Sequence, residues 1–283
     1  MIERVGVVGS GIMGVGIAEV VAASGCDVVV RSRSQTSADG MLAVLERSLS
    51  RQVEREKRTA EEAAGILARV RATGELEDLS GCDLVIESVV EDLAVKKALF
   101  LELDRLTQRD AILATNTSTL PVVELAMETS RPELVCGLHF FNPAAAMRLV
   151  EVVVPITAAP DTIKAAHAFV ESCGKEAVEV QDRAGFVVNA LLFPYLNNAM
   201  RLLEEQVATM EGIDAAMTGG CGFPMGPFAL LDLIGLDTSL AILEALYAER
   251  GDPSVAPAPL LRRLVAAGRL GRKSGHGFYD YRR

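Results

Sequence analysis

The sequence predicts an α/β protein with a doubly wound, mostly parallel sheet over residues 1–183 and an all-helical region over residues 184–283. Three observations carry this reading. Short Val/Ile-rich runs alternate with helical stretches through the first half, and that alternation builds βαβ units around a parallel sheet. A glycine-rich turn follows the first apolar run directly. Beyond Gly185 the strand patterns stop and only helical periodicity remains.

Each element has its own signal. Residues 5–8 form a short apolar run suited to a buried strand, and residues 12–23 continue as a helix. Residues 27–31 are the second strand. A long helical stretch runs over residues 38–71, broken near Thr59. Residues 84–87, 111–114 and 134–138 are further strands, with a helix over 93–106. Strands at 149–154 and 177–180 flank a helix at 161–173. The polar turn Asp182-Arg183-Ala184-Gly185 marks the domain boundary. Helices are then expected over 187–206 and 230–250, and the prolines of residues 251–259 indicate a loop.

Composition narrows the function. Half of the 283 residues are hydrophobic but only 5% are aromatic, which implies aliphatic packing of helices on a Val-rich sheet. A net charge of -10 argues against a nucleic-acid partner. The five cysteines are scattered without metal-ligand spacing, as expected of reduced thiols in a cytoplasmic protein without a metal site. No leader pattern is visible and charges interrupt every apolar run, so no membrane association is expected.

The turn after the first strand reads Gly9-Ser10-Gly11-Ile12-Met13-Gly14. A GxGxxG between a strand and a helix is the dinucleotide fingerprint of Rossmann-type domains. Gly9 permits the tight turn, Gly11 lets the backbone approach a pyrophosphate, and Gly14 lets helix and strand pack closely. The helix N-terminus, with Ile12 and Met13, then faces the phosphates. The second strand ends Arg31-Ser32-Arg33-Ser34, without the carboxylate that accepts a ribose 2′-hydroxyl in NAD-type folds. Guanidinium groups and hydroxyls suit a 2′-phosphate, so NADP(H) is favoured over NAD(H), with Ser32 and Arg33 as contacts. Solvated surface arginines are the alternative.

Several segments then resemble one family. They are Thr115-Asn116-Thr117-Ser118, Gly137-Leu138-His139-Phe140-Phe141-Asn142-Pro143 and Leu149-Val150-Glu151-Val152. Asp182-Arg183-Ala184-Gly185-Phe186-Val187-Val188-Asn189, Pro224-Met225-Gly226-Pro227 and the ending Gly275-His276-Gly277-Phe278-Tyr279 continue the pattern. Their order and content are similar to the 3-hydroxyacyl-CoA dehydrogenase family over essentially the whole chain, and the length is that of its bacterial members acting on 3-hydroxybutyryl-CoA. The resemblance implies His139 as catalytic base, Glu151 as its orienting carboxylate, and Ser118 and Asn189 as substrate contacts. It also implies cofactor contacts at Glu91, Lys96 and Ser118, and substrate contacts at Ser48, Arg55 and Asn142. Where the family commonly has an aspartate, this chain has Ser32.

Residue chemistry bears on the same positions. Oxidising a secondary alcohol needs a hydride acceptor and a base, and histidine is the usual base near neutral pH. If residues 144–147 turn, the flanking strands run antiparallel and His139 faces Glu151. A structural His–Glu bond is the alternative. Ser118 precedes Leu120-Pro121 and reads equally as a helix cap, a role Thr119 is also placed to fill. Asn189 reads also as a helix-end bond. Arg47, Arg51 and Arg55 recur at i, i+4, i+8 as one basic stripe, either a solvated face or a dock for CoA phosphates or an acidic carrier protein.

The function implied is reversible oxidation of a short 3-hydroxyacyl-CoA by NAD(P). Three alternatives stand beside it: a 3-hydroxyacyl-ACP dehydrogenase, a dinucleotide-binding relative without turnover, and a β-hydroxyacid dehydrogenase with a lysine base. The last is disfavoured because residues 186–206 contain no lysine. Residues 230–246 are apolar on more than one face, which suggests a homodimer, with burial inside the monomer as the alternative.

Overall fold

The computed structural model describes residues 2–282. The chain divides into two compact units, with the division between Asp182 and Arg183. The first unit contains β1 (Arg4–Val8), α1 (Ile12–Ala23), β2 (Asp27–Arg31), α2 (Gln35–Glu54), α3 (Ala60–Ala68), β3 (Val70–Thr73), β4 (Leu84–Glu87), α4 (Leu93–Leu106) and β5 (Ile112–Thr115). It continues with α5 (Val122–Ala126), β6 (Val135–Phe140), β7 (Leu149–Val154), α6 (Pro160–Ser172) and β8 (Glu176–Gln181). The second unit contains α7 (Val188–Glu204), α8 (Met210–Cys221), α9 (Pro227–Ile234), α10 (Leu236–Arg250) and α11 (Pro259–Ala266).

The eight strands form one sheet in the order β3-β2-β1-β4-β5-β6-β7-β8. All neighbours are parallel except β6 and β7, which are antiparallel. The strand order reverses between β1 and β4, and ligands of such sheets bind in the crevice at the carboxyl ends of those strands. The fully buried valines of β1 and β2 pack with Ile17, Val21, Met41 and Leu45 from α1 and α2. A strand buried on both faces needs an unbroken apolar run, and this is why the central strands carry Val and Ile without alternation.

Three element assignments need correction. The helical stretch expected to reach Arg71 ends at Ala68, and residues 70–73 form the edge strand β3. Only pairing with β2 selects strand there, since Val70-Arg71-Ala72-Thr73 has no strong pattern of its own. The single helix expected over 230–250 is two, because Gly235 adopts φ 105° between α9 and α10. The strand read as residues 134–138 extends through Phe140, so His139 lies inside β6 rather than past it.

The helical unit has a separate core of Phe193, Leu196, Met200, Phe228, Leu243 and Leu246. Two carboxylates, the buried Asp232 and the half-buried Asp214, tie its C-terminal segment down. Asp232 accepts the backbone N–H groups of Phe278 and Tyr279, each at 2.8 Å. Asp214 accepts those of Phe228 and Ala229 and the Tyr279 hydroxyl. Gly277 is required here, because a Cβ would lie 2.0 Å from an Asp232 oxygen.

Burial has a consequence at alkaline pH. It pushes the thiols of Cys82 and Cys173 up to about 11 and that of Cys136 up to about 12. A thiol in an unfolded chain titrates near 8.5 (about one proton lost per group above that pH). The folded state holds these protons more tightly, so their contribution is complete below about pH 8.5 and is lost as pH rises toward the folded values. The melting temperature is therefore expected to fall between pH 8 and pH 10.5, and to fall less steeply in Cys136→Ala. Parallel pH profiles for the two proteins would refute the assignment.

Candidate active site

The fingerprint turn sits where β1 runs into α1. Gly9 has φ 124°, and a Cβ on it would lie 2.3 Å from the Ser88 carbonyl oxygen. A Cβ on Gly14 would lie 1.8 Å from the Gly9 carbonyl oxygen. Around Gly11, by contrast, a Cβ would meet nothing within 4 Å. Gly11 is also the N-cap of α1 and provides no side-chain cap. The first amides of the helix therefore face open space beside the strand ends, the arrangement that accepts a pyrophosphate. Ile12 is 78% exposed on the same turn and Met13 is half-buried. These features fit a dinucleotide.

The β2 tip differs in part from the expectation. The Ser32 side chain is buried, bonded at 2.6 Å to the hydroxyls of both Ser10 and Ser37. The Ser34 hydroxyl caps α2 through the Ser37 amide. These two hydroxyls are thus occupied in joining the glycine-rich turn to α2. Arg33 is exposed, and the buried Nε of Arg31 has no hydrogen-bond partner.

The loop after β4 rests on a buried ion pair that sequence reading passed over. Glu87 ends β4 with 0% exposure, and Lys96 on α4 is 1% exposed. Lys96 Nζ donates to both Glu87 oxygens at 2.7 and 2.8 Å and lies 3.2 Å from a Glu91 oxygen. Glu87 also accepts the Val89 amide and the Thr115 hydroxyl. Glu91 in turn accepts the Thr117 hydroxyl and, at 2.9 Å, the Ser118 amide. A lone glutamate closing the apolar run Leu84-Val85-Ile86 was the available signal. The ammonium of Lys96 is thus spent on Glu87 and Glu91.

His139 is fifth in β6, opposite Glu151 in the β6–β7 register. The turn between the strands is held by Lys175, whose Nζ donates to the carbonyls of Ala144 and Met147 at 2.7 Å. His139 Nδ1 lies 2.7 Å from a Glu151 oxygen, and Glu151 is 0% exposed. An ionised carboxylate only accepts, so Nδ1 carries a proton, and in the neutral ring the lone pair is then on Nε2. Ser118 Oγ lies 3.1 Å from that Nε2. Asn116, from the same loop, accepts the Phe140 amide at 2.8 Å and so fixes the strand end beside His139.

Neither Ser118 nor Thr119 caps the following helix. The Asp182 carboxylate, sixty and fifty-nine residues away, accepts the Val122 and Val123 amides at 2.9 and 2.8 Å. The Ser118 hydroxyl, which makes no cap, meets His139 instead. Asn142 is exposed and joins Pro143 through a cis peptide bond. Asn189 is buried in the first turn of α7, within the helical unit.

Ser48 and Arg55 come together with Arg47, Arg51, Gln52 and Lys57 around an open groove of about 440 Å³ on α2 and the turn after it. The basic stripe is thus the wall of a concave surface rather than a flat face. Among the described residues, no helix is long and apolar enough to cross a membrane.

The chain matches two family models in tandem. Residues 4–183 match the 3-hydroxyacyl-CoA dehydrogenase NAD-binding domain, and residues 185–281 match the 3-hydroxyacyl-CoA dehydrogenase C-terminal domain. It is 45% identical to a 3-hydroxybutyryl-CoA dehydrogenase of Clostridioides difficile over 98% of this chain and 99% of that protein. It is 46% identical to one of Mycobacterium tuberculosis over 99% of both. The crystal structure of a (S)-3-hydroxybutyryl-CoA dehydrogenase from Ralstonia eutropha superposes with a TM-score of 0.97 at 41% identity, covering all of both chains. With both domains matched in order along its length, the chain belongs to the 3-hydroxyacyl-CoA dehydrogenase family, a family of oxidoreductases.

Proposed function

We propose that this protein interconverts 3-hydroxybutyryl-CoA and acetoacetyl-CoA with NADP(H) in preference to NAD(H). The observation that carries the chemistry is the hydrogen-bonded row Ser118–His139–Glu151, centred on a strand three places along the sheet from the one that leads into the glycine-rich turn. A bound nicotinamide dinucleotide supplies the hydride acceptor or donor. His139 Nε2 takes the hydroxyl proton on oxidation and returns it on reduction, and Glu151 stabilises the imidazolium between those steps. Ser118 hydrogen-bonds the reacting oxygen, and Asn189 is assigned a contact to the same substrate by family resemblance. Glu91 and Lys96 hold the loop that carries Ser118. The α2 groove, with Ser48 and Arg55, takes the phosphates of the CoA nucleotide, for which three arginines and a lysine provide charge. Asn142 stands at the exposed rim of the turn after β6.

The cofactor preference rests on the β2 tip. A carboxylate there would accept a ribose 2′-hydroxyl and repel a 2′-phosphate, whereas Ser32 is neutral and Arg31 and Arg33 flank it. A homodimer is the proposed assembly, supported by the exposed Leu191, Phe223, Leu233 and Tyr247 of the helical unit.

The experiment is an absorbance assay with acetoacetyl-CoA and either NADPH or NADH. Turnover with NADPH preferred is the expected result. Arg33→Ala should then weaken NADPH about tenfold, as for loss of one charge-assisted hydrogen bond of about 1.5 kcal/mol, and leave NADH unaffected. Preference for NADH in the parent would overturn the cofactor reading and keep the reaction. Absence of turnover with both, in protein that binds dinucleotide, would overturn the reaction.

A further inference from the structure

The floor of the α2 groove contains a carboxylate that the proposed reaction does not use. Glu19 lies on α1, 3% exposed, in a helix otherwise buried through Val, Ile and Ala side chains. Its Oε2 accepts the Ser48 hydroxyl at 3.1 Å, and its Oε1 accepts the Gln52 side-chain amide at 2.7 Å. Gln52 Oε1 accepts from Arg58 Nε at 2.9 Å on the other side. These partners fix every direction, because a guanidinium only donates and a carboxylate only accepts. Rotating the Gln52 amide would set oxygen against carboxylate oxygen and N–H against guanidinium. Ser48 has one proton, and Glu19 takes it; the Ser48 oxygen also accepts from the Gln52 amide at 3.4 Å, which leaves it one lone pair for the groove.

We propose that Glu19 is a positioning residue that sets the hydrogen-bond polarity of the groove. By holding the Ser48 proton it leaves Ser48 facing the groove as an acceptor, so that Ser48 takes a hydrogen-bond donor of the substrate's nucleotide (a base amine or ribose hydroxyl). The anionic phosphates fall to Arg47, Arg51 and Arg55. An acidic residue beneath a basic, anion-binding groove is otherwise unfavourable, since it lowers the local potential and is costly to bury. Its two hydrogen bonds, both to groove-lining residues, account for its presence. The proposal rests on the reading of the groove as the CoA nucleotide site.

The test compares kcat/KM for acetoacetyl-CoA with that for the N-acetylcysteamine thioester of acetoacetate, which lacks the nucleotide. In Glu19→Gln the new amide cannot accept from both Ser48 and Gln52, and the Ser48 proton is released toward the groove. The ratio of the two specificity constants is expected to fall about tenfold, the effect of one misdirected hydrogen bond of about 1.4 kcal/mol. Ser48→Ala, which removes the acceptor itself and leaves Glu19 Oε2 one hydrogen bond short, should lower the ratio similarly if Glu19→Gln fails to fold. A purely structural role would lower both constants together and leave the ratio unchanged, which would overturn the proposal. The double variant Arg51→Ala/Arg55→Ala separates the two readings. If it leaves the ratio unchanged, the groove is not the nucleotide site and both readings fail. If it lowers the ratio while Glu19→Gln and Ser48→Ala do not, the groove reading stands and only the role of Glu19 fails.

Discussion

His139→Gln is expected to lower kcat by about 10²–10⁴-fold, the usual contribution of one positioned acid–base group. Glutamine has nearly the length of histidine, but its amide stands on the Nε2 side, so Glu151 also loses its Nδ1–H partner. Glutamine has no titratable nitrogen to receive the substrate proton. Dinucleotide binding should persist, because the glycine-rich turn and the β4 loop are formed by other residues. The measurement is a steady-state assay alongside a fluorescence titration with the reduced cofactor. Turnover within twofold of the parent would remove His139 from the chemistry and leave the His139–Glu151 bond as a structural contact.

A comparably large effect is expected on stability from Lys96→Met. Methionine fills much of the lysine volume but leaves Glu87, at 0% exposure, without its cation. Breaking a buried pair from one side costs about 3–5 kcal/mol, because the remaining charge stays desolvated. For a unit of this size each kcal/mol shifts the melting temperature by roughly 2–4 °C, so a drop of roughly 6–20 °C is expected. Adding Glu87→Gln removes the stranded charge and should recover a large part of that loss. Calorimetry on both variants checks this. A single variant that melts with the parent would show that Glu87 takes up a proton or another partner without cost. Because Glu91 loses the same ammonium, the Ser118 loop should also loosen, and the Michaelis constant for the cofactor should rise in the single variant.

The candidate site divides along the same line as the fold. The fingerprint glycines were legible because their roles are local: a strand, a turn and a helix are adjacent in the chain, and a Cβ at Gly9 or Gly14 would strike backbone within that unit or the next strand. The pairing of His139 with Glu151 was also legible, since a hairpin maps sequence spacing onto register once its turn is located. Edge strand β3 was not legible, because its residues take their conformation from pairing with β2. The break at Gly235 was missed for a related reason: glycine within a helical pattern is tolerated, and only the local φ shows that the chain turns there.

The sequence by itself determined the doubly wound sheet, the dinucleotide turn and the His–Glu pair, since each depends on periodicity or short-range spacing. Tertiary structure decided which polar groups meet over long separations. Asp182 reaches the start of α5 and accepts its first amides, and Ser118 meets His139 from another strand. Glu87 gathers Lys96 and Thr115 from two other elements, and Glu19 underlies Ser48 and Gln52 from the neighbouring helix. Buried polar groups must find partners wherever the packing places them. Their partners are consequently a property of the packed core, which no local pattern along the chain encodes.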